Sequence, residues 1–348
     1  MSPTPEAELP AAPSRWRRWS PWINGVATAV LLMGGVWYLS QSITLPEVRA
    51  AIAAANGWLI LVGLIIFVSN GSLKAWRWQV LLAPRPNSPR IRYTAVFWAI
   101  WLGQFVNSVL PFLRLGEIGR AYAINHLTGY SKTQAVSTMV IEKSVEVIFL
   151  GFTVLLLIPF AALPPRTEQL GIVLAGTAVV ILTALALITY QTDRVIRMLQ
   201  RILNVLPQRL AQWFNRRLVS GLQGLAALRH GRSLWMTIFV SIFIVCLDIA
   251  LPYVLILAFA LPLEFWVAVL LNVAVALVTT PPTAPGELGI FEAAVLFVMA
   301  QVGQADTAVL FSYALVFHLC TLLPKIVLGS LAALQTKWSW RHLNPSPG

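Results

Sequence analysis

Three groups of ionisable side chains interrupt stretches that are otherwise apolar enough to lie in a bilayer. The first is Arg114, Glu117 and Arg120, whose spacing of three puts them near one face of a helix. Two guanidiniums outweigh one carboxylate, and paired guanidiniums match the oxygens of a phosphate. The second is Glu142, Lys143 and Glu146. Its two glutamates are one helical turn apart and have to meet cations or take up protons. Arg114 and Arg120 are their expected partners, with Lys143 pointing elsewhere. The third is Glu287 and Glu292 with His318 and Lys325. His318 and Lys325 are seven residues apart on one helical face, and either could pair with Glu292. Asp248 stands alone, with a hydrogen bond to a neighbouring helix as its expected role. Charges at membrane depth are expensive and mark substrate or ion pathways by default. The competing reading of each group is an ion-pair network that only holds helices together.

Other chemistry is missing from the sequence. There is no nucleophile elbow, no phosphate-binding loop and no zinc-ligand spacing. Cys246 and Cys320 both sit in apolar runs, and His126, His230, His318 and His342 are scattered. No catalytic residue, metal or cofactor is therefore expected, and the chain does not read as an enzyme. The net charge of +12 does not point to nucleic acid, because in a membrane chain its distribution matters more than its sum.

The elements that position these groups follow from composition. Of 348 residues, 58% are hydrophobic and 11% charged, and the mean hydropathy is +0.75. A soluble domain carries roughly a quarter charged residues, so an all-α polytopic membrane protein is expected. Six stretches qualify as transmembrane helices: 22–42, 57–76, 133–160, 169–190, 234–260 and 305–332. Two more, 94–125 and 263–302, carry Gly, Pro and charged residues in their middle and read as re-entrant helical hairpins. Residues 1–20 read as a disordered cytoplasmic tail, 21–335 as one integral membrane domain, and 336–348 as a cytoplasmic tail. Arg15, Arg17 and Arg18 precede the first span as they would in a signal peptide, but no cleavage site follows, so that span is expected to be retained. Within the domain, 191–233 reads as basic amphipathic helices lying on an anionic inner leaflet. With both termini cytoplasmic, the opposite loops hold only Arg49 and Arg166, in line with the positive-inside rule.

The hairpins share a string. Gly116-Glu117-Ile118-Gly119 in the first matches Gly286-Glu287-Leu288-Gly289 in the second, each at a tip and followed by a short helix and a span. The flanking spans run in opposite senses, which makes an inverted-topology repeat of the kind that places a transport site at broken helices.

Ser72–Leu82, containing Arg77-Trp78-Gln79-Val80-Leu81-Leu82, resembles the Arg-Trp-x-x-Leu-Leu run of the flippase-like family, the lysylphosphatidylglycerol synthase transmembrane region. Pro111–Tyr122 resembles that family's Pro-x-x-x-Gly-Glu-x-x-Arg-Ala signature, and Pro285-Gly286-Glu287-Leu288-Gly289-Ile290-Phe291-Glu292-Ala293 its Pro-Gly-Gly-x-Gly-x-x-Glu-Ala motif. Glu142-Lys143-Ser144-Val145-Glu146 stands where Glu-Arg-x-x-Asp is usual, and Phe317-His318 where Tyr-Arg is usual. The resemblance covers the chain after about residue 20. The departures at Glu287 and His318 point to a different substrate or a pH-sensitive site. A soluble aminoacyltransferase domain, which some relatives carry, is not present in this sequence, so synthase activity is not expected.

The expected function is a lipid translocase of the cell membrane, moving an anionic phospholipid, an aminoacylated lipid or a polyprenyl-phosphate carrier between leaflets. The alternative is a membrane subunit presenting a lipid carrier to a separate synthase, glycosyltransferase or other envelope enzyme. The residues expected to meet the lipid are Arg114, Glu117, Arg120, Glu142, Lys143, Glu146, Pro285, Gly286, Glu287, Gly289, Glu292, His318 and Lys325.

Overall fold

A computed structural model describes residues 45–82, 91–110, 115–157, 231–280, 284–302 and 306–338, all within one compact unit. The regular structure among these residues is helical: α1 (Leu45–Ala54), α2 (Gly57–Leu81), α3 (Tyr93–Val109), α4 (Gly116–Thr128), α5 (Lys132–Leu157), α6 (Gly231–Ala258), α7 (Phe265–Thr279), α8 (Ile290–Val302) and α9 (Thr307–Gln335). A 3-10 turn, Pro285–Glu287, precedes α8. The spans expected at 22–42 and 169–190, the tail 1–20 and nearly all of the basic stretch 191–233 lie outside the described residues.

Helix starts follow from capping chemistry. The Asn56 side chain accepts from the Trp58 and Leu59 amides and opens α2, while Asp306 accepts from Ala308 N and opens α9. Gly129, with φ +72°, ends α4 in the left-handed conformation that glycine adopts without penalty.

The longest contact pairs α2 with α6 in antiparallel fashion. Asn56 N donates to Ala258 O, Gly63 backs onto Leu251 and Leu255, Asn70 bonds to Ile244 O, and Arg77 reaches Ser241. A helix of 25 residues, such as α2, is about 37 Å long, enough to cross a hydrocarbon core of ~30 Å. Exposed Trp58 and Trp235 mark opposite ends of this pair, as interfacial indoles do. Between those ends Ile65, Phe239 and Phe243 are exposed, as are Phe297 on α8 and Leu323 on α9, a surface suited to lipid and not to water.

Four described stretches are long and apolar enough to cross a membrane: 57–81, 235–258, 285–302 and 307–335. The helix α5, at 26 residues, has the length but carries Glu142, Lys143 and Glu146. By contrast α3, α4 and α7 have 17, 13 and 15 residues, or about 20–26 Å, less than the hydrocarbon core.

Among the described residues two large apolar cores stand out. One is built from α2, α3, α4 and α5 with Ala332, the other from α6, α7, α8 and α9. Each therefore comes from four consecutive helices around one pair of short ones. Where the chain is described, helices occupy the expected stretches, but α2 continues through Arg77 to Leu81 and does not stop at residue 76. The stretch 285–302, expected as an arm of a re-entrant hairpin, is itself long and apolar enough to cross. At the C-terminus, Trp338 packs edge-on against Tyr122 at 5.1 Å, so the stretch expected to be a tail begins docked on α4.

Candidate functional site

In the first core, α3 and α4 touch backbone to backbone. A Cβ on Gly116 would overlap the Gly103 carbonyl oxygen and the Asn107 amide, and one on Gly103 would meet the Arg120 stem. Glycine at both positions lets α4 lie against α3 and turns Arg120 towards α5. The Asn107 side-chain oxygen accepts from Gly116 N at 2.7 Å, so the first amide of α4 is already occupied.

Arg120 is 7% exposed and donates to Glu142 Oε2 at 2.6 Å. Its guanidinium lies 4.1 Å from the Trp78 ring centre, and Trp78 is itself held by an Nε1 bond to Thr138. Glu142 also accepts from Arg77 Nη2 at 3.3 Å, and that same nitrogen donates to Glu146 at 2.7 Å. Lys143 closes the chain on Glu146 Oε2 at 2.9 Å, with half of its own side chain exposed. Deeper along α2, Asn70 donates to Asp248, which Lys74 approaches to 3.8 Å.

This network joins α2, α4, α5 and α6. Lys74, Arg77, Arg120 and Lys143 face three carboxylates, Glu142, Glu146 and Asp248. Among the described residues, the Nε groups of Arg77 and Arg120 are buried without an acceptor. Buried N–H groups are nearly always bonded, so two open donors beside an excess of cations leave capacity for an anion.

In the second core, the turn before α8 is left-handed at Gly286, Glu287 and Gly289, with φ of +65°, +62° and +79°. It packs on α3 of the first hairpin. His318 is 2% exposed, and its two ring nitrogens reach Glu292 Oε1 at 2.6 Å and the Gly286 carbonyl at 2.7 Å. Phe291 stacks on the imidazole at 4.6 Å, and Gly289 N donates to the other Glu292 oxygen. Lys325 pairs with Glu287 at 3.0 Å.

The two clusters lie at different levels. Cys320, on the His318 helix, reaches the Ile60 carbonyl at 4.0 Å, beside Trp58. Arg77 is near the other end of α2 and bonds to Ser241, six residues from Trp235.

Several expected pairings are present. Arg120 meets Glu142, Glu292 takes His318 of its two possible partners, and Asp248 is bonded to Asn70 on a neighbouring helix. Others are not. Glu117 is half-buried and has no ion pair among the described residues, so it does not join Arg120. Lys143 does not point away from the glutamates but pairs with Glu146. Arg114 lies outside the described residues. Arg77 was not among the residues expected to form the site, yet it bridges both glutamates.

These features define a multi-pass, all-helical membrane protein with charged clusters buried between its helices. Residues 22–329 match the Lysylphosphatidylglycerol synthase TM region family, and the chain belongs to it. That membership ties the protein to lipid modification or translocation. No curated protein and no solved structure matches it.

Proposed function

We propose that this protein moves a phosphate-bearing anionic lipid (a phospholipid, an aminoacylated lipid or a polyprenyl phosphate) between the leaflets of the cell membrane, without covalent chemistry of its own. One observation carries the reading: among the described residues, the α2–α4–α5–α6 network holds four cations against three carboxylates and leaves two guanidinium N–H groups open. A phosphate entering from the accessible Lys143 side would take over arginine contacts now made by Glu142 and Glu146. Carboxylates thus hold the empty site's cations, and the lipid displaces them.

The short helices support the transport half of the reading. At about 20–26 Å, α3, α4 and α7 suit hairpins that enter and leave by one face, with both chain termini cytoplasmic. The second cluster, nearer the Trp58 end, would receive the headgroup after the first releases it, while the acyl chains stay in the bilayer.

The test is translocation of a fluorescent anionic phospholipid in proteoliposomes. Losing one charge-assisted phosphate contact costs about 1.5–3 kcal/mol, or roughly ten- to a hundred-fold in affinity. Arg114→Ala and Arg120→Ala should insert but translocate slowly, with lysine giving only partial rescue. Translocation at the parent rate by both variants would overturn the mechanism.

A further inference from the structure

The contacts of His318 fix a proton count. A carbonyl oxygen can only accept, so the nitrogen 2.7 Å from Gly286 O carries a hydrogen. The other nitrogen stands 2.6 Å from a Glu292 oxygen, and a bare ring nitrogen does not approach a bare carboxylate so closely. A hydrogen lies between them. The pair is either imidazolium with carboxylate or imidazole with carboxylic acid, and both forms hold one proton more than neutral histidine with ionised glutamate.

We infer that Glu292 and His318 form a proton-binding site that clamps the turn of the second hairpin onto α9, and that H+ is the coupling ion of transport. When the proton leaves, the imidazole keeps a single N–H for two acceptors. If it serves Glu292, a lone pair faces the Gly286 carbonyl; if it serves Gly286, a lone pair faces the carboxylate. In either case one contact between α9 and the hairpin opens. The turn is poised to move, because Glu287 holds a left-handed φ that a side chain disfavours.

Among the described residues, neighbouring charges leave this pair as the titrating unit. The turn presents Glu287, neutralised by Lys325 of α9 itself, and α8 presents only Glu292. No acidic or basic residue occurs in α3 or α7. On α2 and α6, Lys74, Arg77 and Asp248 are engaged in the first network, while Glu47 and Arg49 of α1 flank Val48, whose carbonyl meets Ser312. The coupling half of this inference rests on the translocase reading; the proton site does not.

The experiment separates the two. Nitroxides on Leu288→Cys and Leu323→Cys, both exposed positions, in a Cys246→Ala/Cys320→Ala background report the distance from hairpin turn to α9. Between pH 4.5 and 9.5 the clamped distance should give way to a longer one, the open-to-clamped ratio rising about tenfold per pH unit above the midpoint. Glu292→Gln supplies an amide N–H to the ring nitrogen and should stay clamped throughout. His318→Phe should stay open throughout. A parent distance distribution that does not change with pH overturns the proton site, as does a Glu292→Gln profile that follows the parent. With the pH response confirmed, an outward or inward pH gradient applied to parent proteoliposomes should bias lipid movement. Lipid movement that ignores the gradient overturns the coupling, and no lipid movement in any variant overturns the translocase reading while the proton site stands.

Discussion

The two hairpins carry one string, Gly-Glu-x-Gly, and use it differently. In the first, Gly116 is an ordinary helical residue whose missing side chain lets α4 touch the Gly103 carbonyl. In the second, Gly286 and Gly289 are left-handed and shape a turn, with ordinary contact distance around Gly286. Charge is reversed as well. A guanidinium on short α4 meets a carboxylate on long α5, whereas a carboxylate on short α8 meets an imidazole on long α9. Arginine keeps its proton at any physiological pH and histidine does not. One half is thus a permanently charged anchor and the other a titratable contact.

Substitutions can break this contrast. The largest effect is expected from Arg77→Ala, which removes the cation shared by Glu142 and Glu146 in the first core and leaves them only Arg120 and Lys143. Removing one partner of a buried pair costs about 3–5 kcal/mol, readable as a fall in thermal stability in detergent. The glycines come next. Gly116→Ala forces a methyl into backbone and should cost about 2–3 kcal/mol, whereas Gly286→Ala meets only left-handed strain, about 1–2 kcal/mol. If the two alanine variants melt together, the hairpins are not built differently. Smallest is Lys325→Met, which breaks a partly exposed pair worth about 1 kcal/mol or less. A loss as large as that of Arg77→Ala would mean the second half is anchored by charge too.

Much of this was legible before the structure. Broken apolar runs marked the two pairs of short helices, and one-turn spacing marked Glu142 and Glu146 as needing cations. Arg77 was not legible as a site residue, because hydropathy treats a charge at the end of an apolar run as the edge of the membrane. Its partners lie 65 and 69 residues away, and only packing reveals them. Glu117 misled in the opposite direction. A spacing of three puts it within 60° of Arg120, yet the α3 backbone sits so close that only Arg120 turns inward. Helical periodicity could not choose between His318 and Lys325 for Glu292. The left-handed turn decides it, by directing the Gly286 carbonyl at His318 and Glu287 at Lys325.

The Arg77 bridge also sets an order of events during translation. Glu142 is made 65 residues after Arg77, a lag of about 3–13 s at ordinary ribosome speeds. For that interval α2 has its cation and neither of the two carboxylates that later satisfy it. An unpaired arginine is most stable where its guanidinium can reach headgroups and water. The nascent α2 is therefore expected to enter the bilayer shallowly, held at its charged end, and to be drawn to its final depth when α5 arrives. Its last turn settles by recruitment of a later helix, and a chain truncated before Glu142 should leave α2 displaced towards the surface at that end.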